Sequence, residues 1–98
     1  MAGFVQIIDM TTSKFDDIDK LDREWHAATE GKRTVRHSVV ARDRNNPNHY
    51  LVFAFFDSYE DAMKNSALPE TNKFAESMGA FLDGPPSFVD LDIVRTDD

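Results

Sequence analysis

Residues 49–56 read HYLVFAFF, and this segment decides the fold. Its apolar side chains stand at both odd and even positions, which is typical of a strand that is covered on both faces. The preceding residues 44–48 (RNNPN) have the composition of a hairpin loop. Residues 33–43 alternate between two faces, as a strand does. The sequence therefore predicts a central β-hairpin.

The segments outside this hairpin repeat one order of helix and strand. Residues 3–10 (GFVQIIDM) and 87–95 (SFVDLDIVR) are typical of strands, and residues 14–29 carry apolar side chains at helical spacing. A second helical stripe begins after Ser58 and should break at Leu68-Pro69, because proline removes a hydrogen-bond donor and restricts the residue before it. The order βαββαβ predicts a ferredoxin-like α+β fold, with two helices on one face of a four-stranded antiparallel sheet whose first and third strands are central.

This arrangement leaves one face of the sheet without a cover. The third strand is apolar on both faces, and Phe4, Ile8, Val39 and Val40 add further apolar surface. An exposed apolar face of this kind usually marks an interface. We therefore expect a homodimer formed through the sheets.

Composition limits the classes of function that remain. The 98 residues, of which 41% are hydrophobic and 30% charged, predict one globular domain over residues 1–98. The net charge of −7 disfavours nucleic acid and anionic membranes as partners. The chain has no cysteine, which excludes disulfides and thiolate catalysis. Its longest apolar stretch, Leu51–Phe56, is too short to cross a bilayer, so we expect a cytoplasmic protein.

The segment from Leu51 through Ser58-Tyr59-Glu60-Asp61-Ala62 to Phe74 resembles a known group of proteins. A third strand that leads into a Ser-x-Glu-Ala-like helix start, followed by a broken second helix with an interior Phe, is similar to the antibiotic biosynthesis monooxygenases. These belong to the dimeric α+β-barrel superfamily. The resemblance implies a dimeric α+β barrel with a pocket between the helices and the sheet of each subunit.

The resemblance also implies a function. It points to a small cofactor-independent monooxygenase that acts on a flat aromatic or phenolic substrate, with no metal and no other cofactor. Gln6 stands where the group has a pocket-facing Asn, and Phe56 stands where a Trp often ends the third strand. Residues 59–82 contain no histidine to serve as the axial ligand of haem. The alternative is a non-catalytic ligand-binding or stress-related dimer.

Five residues are candidates for the site. Gln6 would orient a carbonyl or the oxygen species, and His37 would accept a proton, since histidine titrates near neutral pH. Trp25, Tyr50 and Phe56 would bind the aromatic substrate. Four of them also have a plainer reading: Trp25 and Tyr50 as core aromatics, His37 as an interface or core residue, and Gln6 as a partner for a neighbouring strand or the second subunit.

Overall fold

The structure of the protein, a computed structural model, describes residues 3–97. The predicted domain of residues 1–98 also includes residues 1, 2 and 98, which lie outside the described part. Seven elements follow one another: β1 (Phe4–Thr11), α1 (Phe15–Ala28), β2 (His37–Arg42), β3 (His49–Phe56), α2 (Tyr59–Ala67), α3 (Pro69–Gly79) and β4 (Ser87–Asp92).

The four strands form one antiparallel sheet in the order β2-β3-β1-β4. The prediction of a ferredoxin-like fold with β1 and β3 at its centre is confirmed. The register places Gln6 beside both Ala54 of β3 and Asp90 of β4. On the other side of β3, Ser38 pairs with Ala54. These pairs fix which side chains share a face, because successive residues of a strand point to opposite faces.

The second helical segment is divided where the sequence predicts a break. α2 ends at Ala67, Leu68 is extended, and α3 begins at Pro69. Three helices therefore stand where two were predicted. The sequence offers Ser58, with Asp61 three residues later, as a cap for this helix. Ser58 does cap α2, since its hydroxyl accepts a hydrogen bond from the Asp61 amide at 3.1 Å.

The start of α1 differs from a simple reading of its sequence. Ser13 followed by Asp16 resembles a capping box, but Lys14 is the N-cap residue and its side chain makes no capping bond. The Thr12 hydroxyl instead accepts from the Lys14 amide and donates to the Phe81 carbonyl. This buried contact with the chain beyond α3 anchors the turn into α1.

The helices cover one face of the sheet. Two buried groups fill the space beneath them, one around Met10, Ile18, Tyr50 and Met78 and the other around Phe4, Phe56 and Ala62. No helix within residues 3–97 is long and apolar enough to cross a membrane.

The opposite face, which we call the open sheet face, has no helix packed against it. Alternation along the strands places eight large apolar side chains there: Val5, Ile7, Val39, Leu51, Phe53, Phe55, Val89 and Leu91. Val39, Val89 and Leu91 are 43%, 46% and 43% exposed. An excess of apolar surface is therefore present on this face. Of the residues named for it from the sequence, Val39 lies here, whereas Phe4, Ile8 and Val40 lie on the face that the helices cover.

At one end of the sheet, the imidazole of His49 lies between two carboxylates. His49 Nδ1 lies 2.9 Å from Asp43 Oδ2, and its Nε2 lies 2.8 Å from Asp9 Oδ1. The hydrogen bonds to Asp43 and Asp9 raise the pKa of His49 above its ordinary 6.5. The hydrogen bond from His49 also lowers the pKa of Asp43 below its ordinary 3.8. These contacts join the hairpin of β2 and β3 to β1.

We expect this cluster to make stability depend on pH in a defined window. The His49 contribution is complete below pH 6.5 and disappears as the pH rises through the raised value in the folded protein. The Asp43 contribution is complete above pH 3.8 and disappears as the pH falls through the lowered value. The parent should therefore exceed His49→Gln in Tm most clearly between pH 3.8 and 6.5 and lose that advantage in alkaline solution. Calorimetry across this range tests it; an advantage that persists unchanged in alkali would contradict the assignment.

Candidate functional site

A cavity of about 310 Å³ lies between the helices and the sheet. Its floor is formed by the helix-facing side chains of the strands, and its walls by α1 and α3 with a contribution from α2. Sites for small molecules typically occupy about 300–1,000 Å³, so this cavity suits a compact ligand. Ala54 lies on the floor, where its small side chain leaves room.

The walls of the cavity are mainly aromatic and aliphatic. Trp25 of α1, Phe56 of β3 and Phe74 of α3 all line it, and the Trp25 and Phe74 ring centroids are 6.4 Å apart. The Trp25 indole N–H donates to the Thr71 hydroxyl of α3 at 2.9 Å. This bond fixes the indole ring and satisfies its polar end, which leaves a flat apolar surface against which an aromatic ligand can stack.

Gln6 brings an amide to the floor of the cavity. Its Nε2 donates to Asp90 Oδ1 of the neighbouring strand β4 at 3.0 Å. Because a carboxylate only accepts hydrogen bonds, Asp90 settles which end of the amide faces it. The other end, the carbonyl Oε1, is an acceptor. The two readings of Gln6 are thus not exclusive, since the side chain both lines the cavity and bonds a neighbouring strand.

A carboxylate and an imidazole stand together on the wall formed by α1. Asp22 and His26 are one helical turn apart and both line the cavity. Asp22 Oδ2 lies 3.4 Å from His26 Nε2, which is within ion-pair distance though longer than an ordinary hydrogen bond. The two side chains are 39% and 40% exposed, so they lie where the cavity meets solvent.

The electrostatic surroundings of Asp22 are those of a partly buried acid. Burial raises the pKa of its carboxyl above the ordinary 3.8; His26 opposes this rise and the neighbouring Asp19 adds to it. A carboxylate that faces an imidazole can orient it and stabilise its protonated form. The arrangement is therefore able to accept a proton from a ligand in the cavity.

The structure brings some of the predicted site residues together and separates others. Gln6, Trp25 and Phe56 line the cavity. Tyr50 is buried on the same side of the sheet, stacked on Phe15 at 4.5 Å, and is not part of the cavity wall. His37 lies on the open sheet face, exposed and 5.6 Å from the Phe55 ring, so the sheet stands between it and the cavity.

His26 is the residue that the sequence reasoning missed. Its place next to Trp25 on the helix suggests a side chain turned to solvent. The cavity is wide enough along α1, however, that both Trp25 and His26 line it. One signal was available in the sequence, namely the spacing of four residues between Asp22 and His26, which brings an acid and a base together on one helix.

Comparisons with known proteins bear on the fold. No protein-family model matches the chain, and no curated protein matches it. Solved structures do match. SnoaB, a cofactor-independent oxygenase from Streptomyces nogalater, has a TM-score of 0.81 at 12% identity, covering 98% of this chain and 97% of SnoaB. A crystal structure named antibiotic biosynthesis monooxygenase has a TM-score of 0.75 at 15% identity, covering 94% of this chain and 99% of that one. The chain has the fold of the antibiotic biosynthesis monooxygenases.

The same fold also occurs in a conserved protein from Methanosarcina mazei Go1, with a TM-score of 0.81 at 10% identity. That match covers 93% of this chain and 92% of the archaeal one. The fold implied by the sequence resemblance is confirmed by these matches. At such identities the likeness concerns the path of the backbone, so activity has to be argued from the cavity itself.

Proposed function

We propose that the protein is a small cofactor-independent monooxygenase that oxidises a flat phenol in the cavity between its helices and its sheet. The observation that carries this proposal is the lining of the cavity, where aromatic walls converge with Gln6 and with the Asp22–His26 pair. An interior closed around Ala54 would have favoured a non-catalytic dimer. SnoaB, which is named a cofactor-independent oxygenase, shares this fold, and that likeness also supports the proposal.

In this reaction the protein has to bind the phenol, deprotonate it and exclude water. An electron-rich phenolate reacts with dioxygen to form a C–O bond at a free ring carbon, which gives a hydroperoxide after protonation. Loss of the hydrogen on that carbon as a proton, with cleavage of the O–O bond, releases one water and leaves a quinone. In sum, one phenol and one O₂ give one quinone and one H₂O. One oxygen atom of O₂ enters the quinone and the other leaves as water, while the phenol supplies all four electrons.

Each part of the cavity has a task in this proposal. Trp25 and Phe56 stack on the flat ring, and the free carbonyl of Gln6 accepts a hydrogen bond from a second ring hydroxyl, where the substrate has one, distinct from the hydroxyl that His26 deprotonates. With its Nε2–H directed to Asp22, His26 keeps Nδ1 free to accept the phenolic proton. His37 takes no part in these steps, because it lies on the open sheet face and the sheet separates it from the cavity.

We also infer that two copies pair through the open sheet face. The support is the uncovered apolar surface on all four strands, with Val39, Val89 and Leu91 each more than 40% exposed. A specific interface typically buries about 800 Å² per partner, and a four-stranded sheet offers a face of that order.

The direct test of the activity is oxygen consumption with 1-naphthol, a flat phenol with a free para carbon. Protein dialysed against EDTA should consume O₂ and form 1,4-naphthoquinone in equal amounts. With ¹⁸O₂, one labelled atom should appear in the quinone. Oxygen uptake no faster than in protein-free buffer, across naphthols of different hydroxyl position, would contradict the proposal.

Replacing Gln6 with Leu should separate binding from folding. The lost hydrogen bond joins Gln6 to Asp90, which is exposed and can be hydrated instead, so the free energy of unfolding should change by less than about 1 kcal/mol. Turnover of 1,5-dihydroxynaphthalene should fall more than that of 1-naphthol, because only the diol has a second hydroxyl to donate to the Gln6 carbonyl. Chemical denaturation and steady-state kinetics measure the two effects.

The control is Asp90→Ala, which removes the same hydrogen bond and leaves Gln6 in the cavity. Because Asp90 also fixes which end of the Gln6 amide faces the cavity, this variant should lose some turnover of the diol, but less than Gln6→Leu. A Gln6→Leu variant that is strongly destabilised and still turns over at the parental rate would end the functional interpretation of Gln6.

A further inference from the structure

Among the ionisable side chains that line the cavity, acidic groups outnumber basic ones. Two carboxylates, Asp19 and Asp22, belong to its lining together with a single imidazole, His26. A third carboxylate, Asp90, holds the Gln6 amide at the floor. Among the described residues 3–97, no lysine or arginine lines the cavity. Asp19 pairs with Arg23 at 3.0 Å, and the Arg23 side chain is 79% exposed.

We propose that the cavity selects an aromatic ligand that presents a hydroxyl or ammonium donor to Asp22, and that it excludes aromatic carboxylates and other anions. This inference deepens the proposed oxygenase function and rests on it for the identity of the site. It concerns the charge of the ligand, which can be measured without turnover.

The physical reason is the cost of bringing a negative charge beside two carboxylates, of which Asp19 has an exposed arginine as its partner and Asp22 faces an imidazole. Unit charges within a partly desolvated cavity interact far more strongly than in bulk water. A ligand carboxylate would also lose water without meeting a cationic partner, which is costly in itself. Burial raises the pKa of Asp22 and Asp19 adds to the rise, so a second carboxylate beside Asp22 already disfavours its charged form, as a ligand carboxylate would.

A neutral donor ligand meets the opposite situation. Its O–H or N–H group can donate to the Asp22 carboxylate, and hydrogen bonds to charged acceptors are the stronger kind. When the ligand is a phenol and passes its proton to His26, the total charge of the cavity does not change, because one imidazolium and one phenolate form together. An anionic ligand adds a charge that nothing in the lining offsets.

The experiment is anaerobic isothermal titration calorimetry at pH 7 with three probes of nearly the same shape. These are 1-naphthylmethylamine, 1-naphthylmethanol and 1-naphthoate, which carry a positive, zero and negative charge. The parent should bind the amine and the alcohol at least about tenfold more tightly than the carboxylate, as expected for a like-charge contact in a partly buried site.

Two variants change the net charge of the protein by the same amount. Comparing them separates the effect of a carboxylate in the cavity lining from the effect of the overall negative charge. Asp22→Asn removes a lining carboxylate and should reduce the preference for amine over carboxylate to about threefold or less. Glu24→Gln removes an exposed carboxylate of α1 outside the lining and should leave the preference unchanged. A third variant, Ala54→Leu, fills the floor and should weaken all three probes together.

The outcomes are distinct. Naphthoate binding as tight as that of the alcohol, an equal effect of Asp22→Asn and Glu24→Gln, or no binding of any probe would overturn the inference. Charge-selective binding with no oxygen uptake would overturn the oxygenase function and leave the selectivity standing. Oxidation of 1-hydroxy-2-naphthoate as fast as 1-naphthol would overturn the selectivity and leave the oxygenase function standing.

Discussion

His26→Gln should lower kcat for phenol oxidation by about 10²-fold or more, the usual effect of removing a proton acceptor. Glutamine keeps the approximate size and polarity of the ring but cannot take up a proton at neutral pH. Asp22→Asn should act in the same direction with a smaller loss, because the imidazole remains while the carboxylate that faces its Nε2 is replaced by a neutral amide. Steady-state oxygen uptake with 1-naphthol measures both.

A second histidine makes this comparison decisive. His37→Gln changes the same residue type on the open sheet face, away from the cavity, and should retain kcat within about twofold of the parent. Circular dichroism spectra and sedimentation of both variants control for folding and association. Loss of activity in His37→Gln with His26→Gln unaffected would place the proton acceptor on the wrong side of the sheet and refute the assignment.

Phe53→Lys should dissociate the protein into monomers. Phe53 lies on the central strand β3, opposite Ile7 and Val39, so its side chain stands near the middle of the open sheet face. An unpaired ammonium in the middle of a dry interface costs about 3 kcal/mol or more, which weakens association by roughly a hundredfold. Analytical ultracentrifugation at micromolar concentration should show the parent at twice the chain mass of 11.2 kDa and the variant near 11.2 kDa.

The matched control is Met63→Lys. Met63 is an apolar residue of α2 that is 36% exposed and does not belong to the sheet. It should leave the dimer intact, whereas Leu91→Lys at the edge strand should weaken it less than Phe53→Lys. A parent that sediments as a monomer, or a Phe53→Lys variant that remains dimeric, would remove the open sheet face as the interface.

The elements that followed from the sequence were those with a strong local cause. β3 was identified because apolar residues occupy both of its faces, and the break between α2 and α3 because proline cannot continue a helix without strain. Ser58 was identified as a cap because its hydroxyl needs only the local backbone to bind Asp61. Such features depend on neighbours in the chain.

The features that the sequence did not reveal depend on distant contacts. The strand predicted over residues 33–43 begins only at His37, because Thr34 bonds Asn65 and the Asp61 carbonyl of α2. Thr12 displaced Ser13 at the start of α1 because it also reaches Phe81, far along the chain. Local propensity carries no information about either partner.

The same distinction explains the candidate site. Alternation shows that His37 and Val39 share a face of the sheet. Whether the helices cover that face follows from the pairing of Ser38 with Ala54, which places Ser38 on the covered face and His37 on the other. The position of Gln6 beside the cavity followed from the resemblance, in which a pocket-facing Asn stands at this place on the first strand. The role of His26 could not, since it follows from the width of a cavity that only the packed helices define.

The bond between Trp25 and Thr71 gives the protein a built-in optical reporter. Trp25 is the only tryptophan of the chain, and its indole spans the gap between α1 and α3 at the wall of the cavity. Its emission therefore comes from one place, where a stacked ring would quench it and where a change in helix spacing would alter its hydrogen bond. Occupancy of the cavity and loosening of its wall are both readable as fluorescence, with no label attached.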